Sequence, residues 1–234
     1  EHSMGFEISD QVRALNAQLQ HFMDEHIYPR ERDWHEWCHD PEHLWEVPTW
    51  YDDIRDKAKA EGLWNLFLPE EYAPWSPGLT NVEIAPLFET MSKVMWAQSV
   101  FNCNAPDRGN MEVLAKYGTP EQQEQWLKPL LAGEIRSAYA MTEPQVASSD
   151  ATNMELEIRR DGDEYVLNGR KWWTTGAVGP RCKIMLVMGK SNPENDRHRQ
   201  HSTILVPRDT PGVKLVRTLR AFDSLHSPGG EAEL

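Results

Sequence analysis

Two segments in the second half of the chain place hydroxyl, aromatic and charged side chains close together. The first runs from Tyr139 to Pro144 (YAMTEP) and is followed by Ser148, Ser149 and Asp150. It has the pattern of a strand that enters a loop of small and hydroxyl residues. Such a loop offers backbone N–H groups and hydroxyls to a planar heterocycle or a phosphate. Taken alone, the segment is also compatible with a plain strand end.

The second segment, from Asn168 to Gly176 (NGRKWWTTG), contains two adjacent tryptophans. Neighbouring side chains on a strand point to opposite faces, so we expect one of Trp172 and Trp173 in the core and the other facing outward. An outward tryptophan beside Thr174 and Thr175 can pack against a flat aromatic ring and hydrogen-bond its edge. For this piece alone, one core tryptophan and one at an interface is the alternative explanation.

A third pattern has the residue types of a metal site, because His35, Glu36 and His39 match H-E-x-x-H. On a helix the two histidines face one way and the glutamate can act as base on a zinc-bound water, with Glu61 as a candidate third ligand. However, Pro41 cuts such a helix short and no apolar run lies nearby to exclude water. These points favour a polar helix end and no metal.

The elements that must position these residues change character near residue 135. Up to that point apolar residues recur at helical spacing. Ser9, Thr80 and Thr119 have the pattern of helix caps, and Pro29 is expected to end or bend the first helix. The expected helices are Ser9 to Pro29, Thr49 to Ala60, Thr80 to an inward-facing Met95, Pro106 to Tyr117, and Thr119 to Gly133.

From Ser137 onward the pattern becomes that of strands. The turn dipeptides Asp161-Gly162 and Asn168-Gly169 predict two hairpins that join three strands into a meander. Further strands are expected at 183–188, 202–206 and 213–216, with a polar, mobile loop at 190–201. The sequence thus predicts an α+β protein, with an antiparallel helical bundle at 1–135 and a β-sandwich or barrel-like domain at 136–234. Residues 222–234 resemble the start of a further strand, so we expect the β domain to be incomplete.

Composition restricts the classes of function. The 234 residues contain 24 Lys+Arg and 37 Asp+Glu, a net charge of −13, which argues against binding to nucleic acid or to an anionic membrane surface. The longest apolar runs fall far short of the roughly 20 residues of a membrane helix. The three cysteines, Cys38, Cys103 and Cys182, have no motif spacing. They favour small buried side chains in a reducing compartment over a disulfide framework.

Taken together, the two segments resemble the flavin-binding domain of the acyl-CoA dehydrogenase family. The resemblance is to Tyr-x-x-Thr-Glu-Pro, then Gly-Ser-Asp, then Gly-Asp-x-Tyr-x-x-Asn-Gly-x-Lys-x-Trp-x-Thr. It extends upstream through Gly62-Leu63-Trp64 and the region from Gly118 to Ile135. The amino-acid sequences of both segments resemble those of the branch that includes phosphotransferase-fused members and stand-alone bacterial relatives.

The resemblance implies an FAD-dependent oxidoreductase of fatty acid metabolism. Such an enzyme dehydrogenates an acyl-CoA thioester to the 2-enoyl-CoA, with hydride passing to FAD N5 and electrons to an electron-transfer flavoprotein or similar acceptor. By the resemblance, Tyr139, Ala140, Met141 and Thr142 line the flavin, Trp173 covers it with Thr174 beside it, and Thr175 reaches N5. Ser148 or Ser149 would contact the pyrophosphate or the substrate. Because the family's Gly-Ser-Asp is replaced by Ala147-Ser148-Ser149-Asp150, the resemblance does not decide between the two serines.

The resemblance also implies parts that lie outside this sequence. In the family a later helical domain supplies the catalytic carboxylate and part of the FAD site, so we assign no base here and expect the 234 residues alone to bind FAD poorly. A homodimer or homotetramer is implied, in the cytoplasm of a bacterium or in mitochondria or peroxisomes of a eukaryote. Arg159, Arg160 and Lys171 are candidates to offset the charge of CoA.

Two alternatives remain open. One is a catalytically silent relative that keeps the fold as a binding protein without the base. The other, more distant, is a zinc hydrolase that uses His35, Glu36 and His39.

Overall fold

The structure, a computed structural model, describes residues 8–221 and 224–234, with side chains described for all of these except 224–228. The chain divides into two compact units, residues 1–123 and 124–234. Helical residues continue across this division from Pro120 to Ala132. The boundary at residue 135, drawn from the change in sequence pattern, stays a prediction.

The first unit is helical, as predicted. Its α-helices are α1 Asp10–Phe22, α2 Glu31–His39, α3 Trp50–Ala60, α4 Asn81–Met91, α5 Ala97–Val100, α6 Asp107–Tyr117 and α7 Pro120–Gln122. A π-helical turn, Gln123–Leu127, then leads into α8 Lys128–Ala132 of the second unit. Among the described residues, no helix is both long and apolar enough to cross a membrane.

The predicted caps form where the sequence places them. The Ser9 hydroxyl accepts from the Val12 amide at 3.3 Å, and Thr80 and Thr119 each form a complete capping box. Each cap provides a partner for an N–H group that the first helical turn leaves without one. The prediction for Met95 is wrong: α4 ends at Met91, and Met95 is 91% exposed.

Helices α1 and α4 pack side by side and run in the same direction. Hydrogen bonds join Ser9 to Glu83 (3.2 Å), Asn16 to Thr90 (2.8 Å) and Gln20 to Lys93 (2.7 Å). These are the first and third of the helices predicted from the sequence, and in a bundle of successive antiparallel helices such a pair runs in the same direction. Near Pro29 the chain stays helical through π and 3-10 turns at 23–30 and continues into α2.

Within its described residues, the second unit contains two sheets built from eight strands. The strands are β1 Arg136–Ala140, β2 Glu157–Asp161, β3 Glu164–Asn168, β4 Arg170–Thr175, β5 Cys182–Lys190, β6 His201–Pro207, β7 Lys214–Ala221 and β8 Ser224–Glu233. One sheet has the order β1-β5-β2-β3, with β6 antiparallel to β5, and the other has the order β4-β8-β7. Strands β1 and β5 are parallel, a pairing that the predicted meander did not contain. The predicted strand at the end of the sequence is β8, which lies between β4 and β7; Phe222, where that prediction begins, lies outside the described residues.

The first predicted hairpin is confirmed and the second is wrong. Asp161 pairs with Glu164 across the turn at Gly162, which has φ +64°. Asn168-Gly169 instead carries the chain from one sheet to the other, and Gly169 exchanges two backbone hydrogen bonds of 3.0 Å with Leu234. A Cβ on Gly169 would lie 2.8 Å from Leu156 Cβ and 2.9 Å from Leu156 Cα. Glycine is therefore required here for a close approach and not for a turn.

The core of the second unit lies against β5. It contains small and aliphatic side chains, namely Ala138, Ala140, Leu156, Ile158, Ala177, Cys182, Met185, Val187 and Val206. All three cysteines are buried and free, as predicted. Burial raises the pKa of Cys38 and of Cys103 to about 12, so both thiols stay protonated at neutral pH and are poor nucleophiles.

We predict that Gly169→Ala lowers the free energy of unfolding by about 1–3 kcal/mol, because the added methyl overpacks the contact with Leu156. Chemical denaturation measures the change. Gly109→Ala, in α6, is the matched control, since its Cβ meets nothing within 4 Å and alanine favours the helix. Equal stability of the two variants would contradict the close approach.

Candidate functional site

A buried ion pair joins the two segments that the sequence singled out. Lys171, on β4, donates from Nζ to Glu143 Oε1 at 2.8 Å and to the Met141 carbonyl at 2.8 Å. The exposed fractions of the two side chains are 0% and 3%. Burial lowers the pKa of Lys171 below its ordinary value, while the hydrogen bond and charge of Glu143 act in the opposite direction. The pair holds the loop after β1 against the start of β4.

Glu143 has further partners that fix the loop. Its carboxylate accepts from the amides of Glu155 (2.7 Å) and Leu156 (2.8 Å). Its own amide donates to the Ser148 hydroxyl at 2.8 Å, and Ser148 is buried. A buried carboxylate with this many donors is compensated for its lost hydration. Glu143 therefore belongs to the support of the loop and does not face solvent.

A backbone hydrogen bond brings the candidate ligand-binding residues side by side. The Trp172 amide donates to the Thr142 carbonyl at 2.9 Å. Thr142, Trp173 and Thr175 are all exposed, Trp173 by 44%. Thr142 and Trp173 thus lie on adjacent chain segments with their side chains open to solvent.

The two tryptophans do not alternate as predicted. Trp173 has φ +50°, and the register of β4 with β8 shifts between Lys171 and Thr174. Lys171 pairs with Ala232 and Thr174 with Gly230, so β4 contains one extra residue, which is a β-bulge. As a result Lys171 and Thr174 are both buried, and the two indole rings approach to 6.0 Å between centroids. Trp173 faces outward as expected, but Trp172 is half-buried beside it.

The remaining candidate residues differ in exposure. Ser149 is exposed; Tyr139 and Met141 are half-buried. The Tyr139 hydroxyl lies 3.8 Å from Met188 Sδ. Ala140 and Thr174 are buried, at 1% and 2% exposure. Both residues are covered by protein, so neither presents an exposed side chain to a ligand.

The loop also presents hydrogen-bond donors that the protein does not use. In the described part of the chain, the amides of Met141 and Thr142 donate to no acceptor. The same holds for the buried Trp172 Nε1. Buried or strand-end donors normally find partners. The amides of Met141 and Thr142 are therefore available to acceptor atoms of a bound molecule, whereas Trp172 Nε1 is enclosed by protein.

The loop that contains Ser148 and Ser149 is connected by hydrogen bonds to the loop at 190–201. Arg197 donates to Asp150 at 2.9 Å and to the Thr152 hydroxyl at 2.6 Å and 2.9 Å. Hydrogen bonds from Thr152, with Arg197 and His198 nearby, hold the pKa of Asp150 below its ordinary value. Asp150 thus supports the loop that carries Ser149. Arg197 thus connects the loop at 190–201 to Asp150 and Thr152, and the mobility of that loop stays a prediction.

The cations proposed to offset CoA have other partners. Lys171 is buried in its ion pair, which removes it as a phosphate ligand. Arg159 lies 3.6 Å from Asp161, and Arg160 donates to the Gly162 carbonyl. The structure thus corrects the assignment of Lys171, whose charge is needed inside the protein.

The H-E-x-x-H pattern lies on α2, but its side chains are engaged locally. The rings of His35 and His39 stack with centroids 4.1 Å apart, and His39 Nδ1 lies 2.7 Å from the His35 carbonyl. Glu36 pairs with Arg32 at 2.8 Å. Within residues 8–221 and 224–234, no group of three His, Cys, Asp or Glu could hold a metal ion.

Sequence reasoning missed the part played by β8. Gly229 and Gly230 lie opposite the bulge, and the buried Glu231 pairs with Arg170 at 2.6 Å and with Arg217. Adjacent glycines inside a strand often mark a bulge or a close backbone approach. The Gly-Gly pair was therefore the available signal.

Comparisons with known proteins agree with this fold. The model of the acyl-CoA dehydrogenase N-terminal domain matches residues 9–134, and that of the middle domain matches residues 138–227. The chain belongs to the acyl-CoA dehydrogenase family.

Relatives and solved structures agree with this assignment to the acyl-CoA dehydrogenase family. Acyl-CoA dehydrogenase family member 10 of Mus musculus is 49% identical over 97% of this chain and 21% of its own length. "Probable acyl-CoA dehydrogenase FadE2" of Mycobacterium tuberculosis is 49% identical over 94% of this chain and 53% of its own length. A solved structure of a Mycobacterium abscessus protein described as an acyl-CoA dehydrogenase matches with a TM-score of 0.90 and 45% identity, over 97% of this chain and 58% of that one. This chain therefore spans between a fifth and three fifths of these proteins.

We predict that Lys171→Met lowers the free energy of unfolding by about 3–5 kcal/mol, because it leaves the Glu143 carboxylate buried without its cation. Glu143→Gln combined with Lys171→Met should recover part of the loss. Lys214→Met is the control, since Lys214 is 75% exposed in its pair with Glu233, and exposed pairs contribute about 0–1 kcal/mol. A loss for Lys171→Met as small as that of the control would show that the ion pair does not hold the site.

Proposed function

We propose that this chain is part of an FAD-dependent acyl-CoA dehydrogenase that converts an acyl-CoA thioester to the 2-enoyl-CoA and passes electrons to an external acceptor. One observation carries the proposal. The hydrogen bond from the Trp172 amide to the Thr142 carbonyl joins the segment that contains exposed Thr142 and two unused amides to the segment that contains exposed Trp173 and Thr175. A flat ring with acceptor atoms along its edge fits this set of groups.

We assign the flavin contacts residue by residue. The amides of Met141 and Thr142 and the Thr142 hydroxyl would donate to the pyrimidine edge, with Tyr139 and Ala140 contributing backbone. Trp173 would cover the ring and Thr175 would contact its central edge. Thr174 is buried, so we assign it a packing part beneath Trp173.

The two serines receive different assignments. Ser149 is exposed and is the one we assign to the pyrophosphate of FAD or the pantetheine of the substrate. Ser148 is buried and accepts from the Glu143 amide. Its part is to hold the loop.

The chemistry follows from where negative charge develops. When bound, FAD would accept the hydride that leaves the β-carbon of the acyl group. This chain's fixed donors at Met141 and Thr142 would stabilise charge on the pyrimidine edge without having to reorganise. The Glu143–Lys171 pair would keep those donors in place. The base that removes the α-proton is assigned to residues outside this sequence.

Proteins of the same fold support FAD as the cofactor. The descriptions of two solved structures name PigA with FAD and proline, and a Mycobacterium smegmatis glutaryl-CoA dehydrogenase in complex with FADH2. At 21% and 22% identity these likenesses establish the fold only. We also propose an electron-transfer flavoprotein as acceptor, a homodimer or homotetramer, and a cytoplasmic, mitochondrial or peroxisomal location.

The alternative is a binding protein that keeps the fold without catalysis. A Glu or Asp at the family's base position, downstream of Leu234 in the whole protein, separates the two. A zinc hydrolase at His35, Glu36 and His39 finds no support in the local contacts of those side chains, and unchanged metal content in His39→Ala would remove it.

The deciding experiment uses the full-length protein with FAD, a panel of acyl-CoAs and an artificial electron acceptor. We expect bound flavin that acyl-CoA bleaches, and turnover with at least one chain length. Bound flavin without bleaching would support the silent relative, and no flavin binding would contradict the proposal.

We predict that Thr175→Val weakens FAD binding by the full-length protein about threefold to tenfold, the equivalent of one lost hydrogen bond. Titration of the apoprotein with FAD measures the dissociation constant. Thr218→Val on β7 is the matched control, because it removes an exposed strand hydroxyl elsewhere in the same sheet. Equal affinity of both variants would remove Thr175 from the flavin site.

A further inference from the structure

The conformation of Trp173 is unusual for a residue with a side chain. Its φ of +50° lies in the left-handed region, which a non-glycine residue occupies at a cost. The bulge that contains it is held on both sides, by Lys171 paired with Ala232 and by Thr174 paired with Gly230. Trp173 therefore adopts this conformation because the surrounding structure imposes it.

The neighbour that makes this possible is Gly229 on β8. A Cβ on Gly229 would lie 2.8 Å from Trp173 Cα, 3.0 Å from Cε3 and 3.1 Å from the carbonyl carbon. Two of these atoms are backbone and cannot move by a rotation about a side-chain bond. The indole and the main chain of Trp173 thus pack directly against the backbone of Gly229, in the space that a side chain at residue 229 would occupy.

Gly230 has different neighbours, although it is adjacent. Its Cβ would meet Ala177 Cβ and Val178 Cγ1, both at 3.1 Å, and the Thr174 carbonyl at 3.3 Å. None of these atoms belongs to Trp173. Substitutions at the two glycines therefore distinguish an effect on Trp173 from a general disturbance of β8.

We propose that Gly229 is a positioning residue for the flavin site. Because Gly229 has no side chain, the bulge of β4 packs directly against its backbone, and this contact sets the position of the Trp173 indole. The inference rests on the proposed function, because it gives Trp173 the flavin as its ligand. Gly229 itself touches no ligand and acts through Trp173.

The test compares Gly229→Ala with Gly230→Ala in the full-length protein, labelled with 5-fluorotryptophan. The Trp173 resonance is assigned from its loss in Trp173→Phe and followed without flavin. FAD affinity and the visible circular dichroism of the bound flavin are then measured, the second because it reports the environment of the ring. We expect Gly229→Ala to shift the Trp173 resonance, to change the dichroism and to weaken FAD binding about tenfold. We expect Gly230→Ala, whose Cβ meets no atom of Trp173, to change all three much less.

A double-mutant cycle separates action through Trp173 from an independent effect. In a Trp173→Ala background, we expect Gly229→Ala to cause no further loss of FAD affinity. An additive loss, or an unmoved Trp173 resonance in a folded Gly229→Ala protein, would overturn the proposal. If the wild type binds no FAD, the proposed function fails, while the resonance still decides whether Gly229 positions Trp173.

If Gly229→Ala does not fold, a second variant decides. Adding Trp173→Gly removes the indole and frees the backbone at 173, so folding is restored if the contact with Trp173 is the cause. Failure of this double variant to fold would overturn the proposal.

Discussion

The buried pair of Glu143 and Lys171 is the interaction on which the candidate site depends. Two opposite charges lie at 0% and 3% exposure, 2.8 Å apart, in a position that neither would tolerate alone. The pair, with the amides of Glu155 and Leu156, decides where the loop after β1 lies relative to β4. Thr142 and Trp173 lie on adjacent chain segments because Glu143 and Lys171, close to them in sequence, are paired with one another.

In the second unit, the candidate ligand-binding side chains lie at irregular parts of the sheets. A regular β4 would alternate, and the two tryptophans would lie on opposite faces. The bulge breaks that alternation, buries Lys171 and Thr174 together and turns Trp173 outward at φ +50°. The glycines of β8 accept the distortion. Bulges beside functional sites commonly redirect a side chain in this way.

Much of the fold followed from local sequence signals because those signals act within a few residues. The caps at Ser9, Thr80 and Thr119 and the turn at Gly162 depend on hydrogen bonds inside one turn of chain, and all four formed as predicted. The errors came where a local pattern had a distant cause. Asn168-Gly169 has the composition of a hairpin turn, yet its glycine is required by Leu156 from another strand.

The sequence by itself determined the class of each half, the helix N-caps at Ser9, Thr80 and Thr119, the burial of the cysteines and the two segments that carry the family's motifs. These depend on periodicity, capping and residue type, which a linear sequence displays. Only the tertiary structure decided that Lys171 is an internal cation, that Ser148 holds the loop while Ser149 is open, and that Gly229 supports Trp173. Each of these depends on which residues, separated in sequence, come within about 3 Å of one another in the fold. The spacing of residues along the chain does not indicate such contacts.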